Sequence, residues 1–255
     1  CWGYFRENSD DNGITFDDCS EITQLAPPYL SNSKNNKQLF HSGSSLLVWD
    51  IDNDADQDLI LGDISYTNLN LLINGGNNDS AHIVSVDTVF PQNHNNTIAG
   101  DISVYPASYY IDVTNDGIKD LLLTTNTNNN SESLESCWLF ENTNSTNSPN
   151  FNFIKKSFLQ DEMIDLGKGS YPAFFDYNGD GLEDLVVGNY GYHVNNNNPV
   201  SSLALFENIG TSSLPEFDLV DRDWQSISSI NLNTVLNIPA LNLSPTFGDI
   251  DGDND

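Results

Sequence analysis

The sequence predicts an all-β fold, a β-propeller of four-stranded antiparallel blades. Three observations predict it. An Asp-rich motif occurs four times, starting at Asp50, Asp112, Asp176 and Asp249, with starts 62, 64 and 73 residues apart. Each copy stands among similar short apolar and aromatic stretches. No segment keeps a helical period over three turns. A fixed period marks a repeat architecture whose units stack on their neighbours. Four short strands per period match the size of a propeller blade. A β-sandwich is the competing all-β arrangement, but it would not require the same loop at the same place in each unit.

Residues 1–20 read as the second half of a preceding blade, because "CWGYFREN" ending at Asn8 parallels "CWLFEN" ending at Asn142. Residues 21–43 are Pro-rich and polar and read as a linker. Full blades are expected over 44–105, 106–170 and 171–243, and 244–255 starts a further one, so the expectation is part of a larger propeller. Within each unit an aromatic or apolar stretch comes first ("SLLVWD", "SYYID", "PAFFD", "PTFGD"). The acidic loop follows. In the three complete units it runs into a continuous apolar strand ("DLILGD", "DLLLTT", "DLVVGN"). A third strand ends in Asn at Asn74, Asn142 and Asn208, and a fourth begins near Ile83, Phe151 and Phe217. Gly-, Asn- and Ser-rich turns separate the strands.

The charge excludes one large class of function. Eight Lys and Arg against 37 Asp and Glu leave a formal charge of −29. Such a field repels nucleic acid and anionic membrane surfaces. The acid is mostly Asp, 28 against 9 Glu, alongside 36 Asn. These residues favour turns, caps and metal loops over helix interiors. The 27 aromatic side chains supply enough apolar bulk for a core. No apolar run is long enough for a membrane-spanning helix.

Positions 1, 3, 5 and 9 of each loop carry oxygen-bearing side chains. They are Asp50, Asp52, Asp54 and Asp58 in the first loop, and Asp112, Thr114, Asp116 and Asp120 in the second. The third has Asp176, Asn178, Asp180 and Asp184, and the fourth has Asp249, Asp251 and Asp253 before position 9. Alternate residues of a tight loop can turn toward one centre. Carboxylates so close repel unless a cation joins them, and an all-oxygen cage suits Ca²⁺. Position 7 would contribute a backbone carbonyl, from Asp56, Ile118, Leu182 and Asp255. Gly117 and Gly181 at position 6 allow a left-handed backbone. Ala55 breaks that rule, and Asn254 tolerates it. A regular EF-hand is excluded, because position 12 is Leu61, Leu123 or Val187 within a β-like run rather than a bidentate Glu. The expectation is three well-formed Ca²⁺ sites and an incomplete fourth.

The loops, the strands after them and segments such as "LFENIGTSSLPEF" resemble FG-GAP/VCBS-type repeats, over roughly residues 40–255. Integrin α-subunit propellers and secreted bacterial surface proteins carry such repeats. The resemblance implies that each loop joins the first two strands of a blade and holds one calcium, and that ligands bind on other loops. Departures are Ala55 at a Gly position and Thr124 where Gly62 and Gly188 stand in the other units.

No catalytic constellation emerges. His41, His82, His94 and His193 share no repeat position, and no nucleophile elbow is present. The expected function is a non-enzymatic calcium-binding module of a secreted or cell-surface protein, in the bacterial style, mediating adhesion or binding of a protein or glycan. The alternative is a non-catalytic structural part of a larger surface assembly, or of a secreted enzyme whose catalytic domain lies outside this chain. Among Cys1, Cys19 and Cys137, a Cys1–Cys19 disulfide and three reduced thiols are both open, while the place of Cys1 inside a strand pattern argues against a lipidated cysteine.

Overall fold

The computed structural model describes residues 3–7, 12–17, 43–93, 97–127, 131–193, 199–230, 241–249 and 252. The expected linker up to residue 42, Cys1, Cys19, His41, His94, Asp251, Asp253, Asn254 and Asp255 lie outside them. Cys137 is a free, half-buried thiol.

Fourteen strands are described: β1 (Phe5–Glu7), β2 (Ile14–Phe16), β3 (Ser44–Trp49), β4 (Asp58–Asp63), β5 (Leu69–Asn74), β6 (Ile83–Asp87), β7 (Pro106–Ile111), β8 (Asp120–Thr125), β9 (Cys137–Asn142), β10 (Phe151–Lys155), β11 (Lys168–Phe175), β12 (Asp184–Gly191), β13 (Leu203–Asn208) and β14 (Phe217–Asp221). β1 and β2 pair alone. The others form three antiparallel four-stranded sheets, β3–β6, β7–β10 and β11–β14, each with its strands in chain order. That all-β organisation is the one expected of propeller blades. Short 3-10 turns at Gln160–Glu162 and Trp224–Ser229 are the helical elements among the described residues. β11 begins at Lys168, ahead of the expected unit start at residue 171.

Burial explains the two sequence patterns. β4 is buried along its whole length, so "DLILGD" reads as an unbroken apolar run between two acids. β3 alternates exposed and half-buried residues, so one of its faces remains open. Both follow from whether a strand is covered on one face or on two.

The chain divides into two compact units. The first comprises residues 1–129 and 135–159, and the second 130–134 and 160–255. In the first unit, β4, β5, β8 and β9 contribute Ile60, Leu71, Leu121, Leu123 and Phe140 to one core. Trp49 at the end of β3 stacks on Tyr110 of β7, with ring centroids 3.9 Å apart. A Cβ on Gly62 would fall well inside contact with the Pro106 carbonyl oxygen, which also accepts a 2.6 Å hydrogen bond from Ser45 Oγ. Glycine at this position lets β4 and the start of β7 touch. The β1–β2 hairpin packs Phe5 and Ile14 against Leu59, Leu72 and Ile83.

The second unit repeats this contact. Leu185, Val187, Ala204 and Phe206 form its core with Leu166. Residues 241–249 run beside the sheet, with Leu243 N–H donating to Asn189 O at 3.0 Å. A Cβ on Gly188 would meet the Leu243 carbonyl as one on Gly62 would meet Pro106. Phe175 stacks on Phe247 at 4.0 Å, in the manner of Trp49 on Tyr110.

Candidate metal centres

Each acidic loop joins the first two strands of a sheet, β3 to β4, β7 to β8 and β11 to β12. The three are wrapped alike. The position 1 carboxylate accepts the N–H groups of positions 5 and 6. Asp50 receives Asp54 N–H (3.1 Å) and Ala55 N–H (3.0 Å). Asp112 receives Asp116 N–H and Gly117 N–H, and Asp176 receives Asp180 N–H and Gly181 N–H. The position 5 carboxylates of Asp54, Asp116 and Asp180 accept the N–H of position 7. Each loop thus curls around its first carboxylate.

Two left-handed residues produce the curl. Position 6 has φ of +77° at Ala55, +89° at Gly117 and +87° at Gly181. Ala55 therefore adopts the conformation that glycine takes elsewhere, against a steric cost of about 1–2 kcal/mol. Position 4 is left-handed too, at Asn53 (+62°), Asn115 (+61°) and Gly179 (+76°). Position 4 is not among the alternating oxygen-bearing positions that mark the loops in the sequence. Its signal is residue type, since Asn and Gly are the residues that tolerate φ > 0.

Position 9 is the most buried member of each loop, with Asp58 at 1% and Asp120 and Asp184 at 0% exposure. One carboxylate oxygen accepts the N–H of position 2, from Ile51, Val113 and Tyr177. The other accepts the N–H of the Asn that ends the third strand, at 2.9 Å from Asn74, 3.0 Å from Asn142 and 2.8 Å from Asn208. The sequence shows these asparagines recurring but does not reveal their partners.

The first loop concentrates the most charge. Carboxylate oxygens of Asp50, Asp52 and Asp58 lie within 4.8 Å of one another, the one such group of three among the described residues. Asp56 is buried, and its Oδ1 has no hydrogen-bond partner. Burial, and then the charges of Asp54, Asp52 and Asp50, hold the Asp56 carboxyl above its usual range. Burial, then Asp54, raises Asp52. Burial pushes Asp58 up to about 6, against the lowering effect of the N–H groups of Asn74 and Ile51. Thr114 and Asn178 stand at position 3 of the other two loops. Thr114 Oγ1 donates to Asp120 at 3.2 Å, and Asn178 Nδ2 donates to Asp180 and to Glu207 Oε1 at 3.2 Å. In the fourth loop Asp249 accepts Gly252 N–H at 2.6 Å.

The donor set is oxygen throughout, with an unpaired buried carboxylate oxygen in the first loop. That chemistry fits a hard divalent cation. Ile118 and Leu182 can offer only their backbone carbonyls. At Asp56 the side chain is turned inward as well, where the sequence reading used its carbonyl alone.

Residues 112–187 match the family model of the FG-GAP-like repeat, and residues 172–203 match that of the FG-GAP repeat. The two matches take in the second and third loops. No curated protein and no solved structure matches the chain significantly. Among the described residues, no helix is long and apolar enough to cross a membrane.

Proposed function

In this FG-GAP repeat protein, we propose that the acidic loops hold calcium and that the sheets serve as a non-catalytic binding module on a secreted or cell-surface protein. The ligands would be the side chains at positions 1, 3, 5 and 9 of the loops starting at Asp50, Asp112 and Asp176. The carbonyls of Asp56, Ile118 and Leu182 would complete them. The loop from Asp249 would form an incomplete fourth site with Asp251, Asp253 and the carbonyl of Asp255. The partner would be a protein or glycan met outside the cell, consistent with a surface too acidic for polyanions. The protein would sit on a bacterial outer surface, a reading that the bacterial style of the repeat supports.

The observation that carries the reading is the first loop, where three carboxylates converge beside a buried, unpartnered Asp56 oxygen. Without a cation those charges oppose folding. With one, they become its cage. The cation supplies charge neutralisation, and the chain's residues orient the oxygens and exclude water.

The test is thermal unfolding in chelator and in calcium, with titration calorimetry for stoichiometry. Extracellular calcium modules bind at about 10⁻⁴–10⁻³ M. Calcium at a hundred times the Kd adds about 2.7 kcal/mol per site, so the melting temperature should rise by several degrees. Magnesium at the same concentration should do much less. Identical melting curves in chelator and calcium would refute the calcium reading. Hydrolysis of polysaccharides by this chain alone would refute the non-catalytic one.

A further inference from the structure

We propose that Asn74, Asn142 and Asn208 are positioning residues that couple each cation loop to the outer hairpin of its own sheet. The proposal rests on the calcium reading above and adds to it a route by which binding is felt outside the loop.

Each of the three asparagines is almost fully buried, at 1%, 1% and 4% exposure. Each lies nine residues before its register partner on the fourth strand, Ile83, Phe151 or Phe217. Between the two runs the outer turn of the sheet. The Asn Oδ1 closes that turn by accepting two N–H groups, two and eight residues on. Asn74 accepts from Gly76 (3.1 Å) and His82 (2.7 Å). Asn142 accepts from Asn144 (3.2 Å) and Asn150 (3.0 Å). Asn208 accepts from Gly210 (3.1 Å) and Glu216 (3.2 Å).

The same residue grips the loop with its two donors. Its Nδ2 donates to the carbonyl of position 8, at Gln57 (3.2 Å), Lys119 (3.1 Å) or Glu183 (3.2 Å). Its backbone N–H donates to the position 9 carboxylate, whose other oxygen holds the N–H of position 2. One residue therefore links the outer turn, through its side chain, and the last candidate ligand, through its backbone N–H, and through that ligand the start of the loop.

In the second sheet Asn142 Nδ2 also donates within the turn, to Ser145 O at 2.9 Å, and to the Tyr110 hydroxyl at 3.4 Å. The Nδ2 bond to position 8 has no use in the turn, and it recurs in all three sheets. Groups that hydrogen-bond a metal's ligands fix their orientation, and losing one costs about 10–100-fold in metal affinity. The asparagines supply donors to the candidate ligands: each backbone N–H goes to position 9, and the Asn74 side chain also bonds the Asp56 carboxyl. They act through Asp58, Asp120 and Asp184.

The experiment follows amide hydrogen exchange on the full chain across a calcium titration. In the wild type, exchange in the 209–216 turn should slow with the same calcium midpoint as the 176–184 loop. In Asn208→Ser, the serine hydroxyl cannot bridge to the Glu183 carbonyl. The backbone N–H that holds Asp184 is kept, so the 176–184 midpoint should rise by less than the roughly tenfold loss of a direct ligand partner, and the turn should stop following it. The midpoints of loops 50–58 and 112–120 should hold, which reports that the variant is folded. Asn142→Ser repeats the test for loop 112–120 and turn 143–150. An unchanged 176–184 midpoint in folded Asn208→Ser would overturn the proposal. So would a wild-type turn that ignores calcium while its loop responds, a measurement that stands whether or not either variant folds. A wild-type loop that itself ignores calcium would sink the calcium reading, and this proposal with it.

Discussion

Replacing Asp184 by Asn separates what this carboxylate does for the fold from what it does for a cation. Asp184 is fully buried, and both its oxygens are engaged, by Tyr177 N–H at 3.0 Å and Asn208 N–H at 2.8 Å. An amide of the same shape keeps one acceptor and turns an NH₂ toward the other N–H. The lost charge-assisted bond costs about 2 kcal/mol. The buried N–H left without an acceptor adds about 1–2 kcal/mol. The sum, about 3–4 kcal/mol, lowers the melting temperature by roughly 10 °C for a chain of this size. The loss should be present in chelator, because neither hydrogen bond involves a metal. In calcium it should be larger, because a candidate ligand goes too. The assay is a melting curve of wild type and Asp184→Asn in both conditions. A variant that melts with the wild type in chelator and falls behind only in calcium would show that position 9 is a ligand and nothing more.

Two further expectations address the fold and the pH response. Gly62→Ala should destabilise the first unit by about 1–3 kcal/mol by overpacking, since its Cβ meets the backbone of Pro106 rather than a movable side chain. A urea midpoint equal to wild type would mean β4 and β7 do not touch there. In calcium-free buffer, Asp58 makes stability fall as pH rises. Its folded pKa of about 6 lies above the ordinary 3.8, chiefly through burial, so the folded state holds the proton more tightly. That contribution is complete below pH 3.8 and lost as pH climbs through 6. The stability of wild type relative to Asp58→Asn should therefore decline between pH 4 and 6.5. A flat or rising difference would contradict it.

The strand plan of this chain is legible in its sequence because it depends on local pattern. Continuous apolar runs behind each acidic loop became strands covered on both faces, as β4 shows. The left-handed turn at position 6 was readable from Gly117 and Gly181. At Ala55 the same backbone forms without glycine, because hydrogen bonds to Asp50 from two successive N–H groups hold it there. The oxygen pattern of the loops was likewise visible as a spacing of residue types.

What spacing along the chain cannot express is which groups meet across it. Asn208 reaches Asp184 over 24 residues, Ser45 reaches Pro106 over 61, and Trp49 finds Tyr110 on another sheet. Asp58, Asp120 and Asp184 look like any other member of their loops in sequence. Burial and two backbone donors, one from the loop itself and one from the third strand of the sheet, make each of them a node. A one-dimensional pattern records side-chain chemistry and period. Partnership between distant residues is set by strand register and by the exclusion of water from a packed core, and these exist only once the sheets have formed.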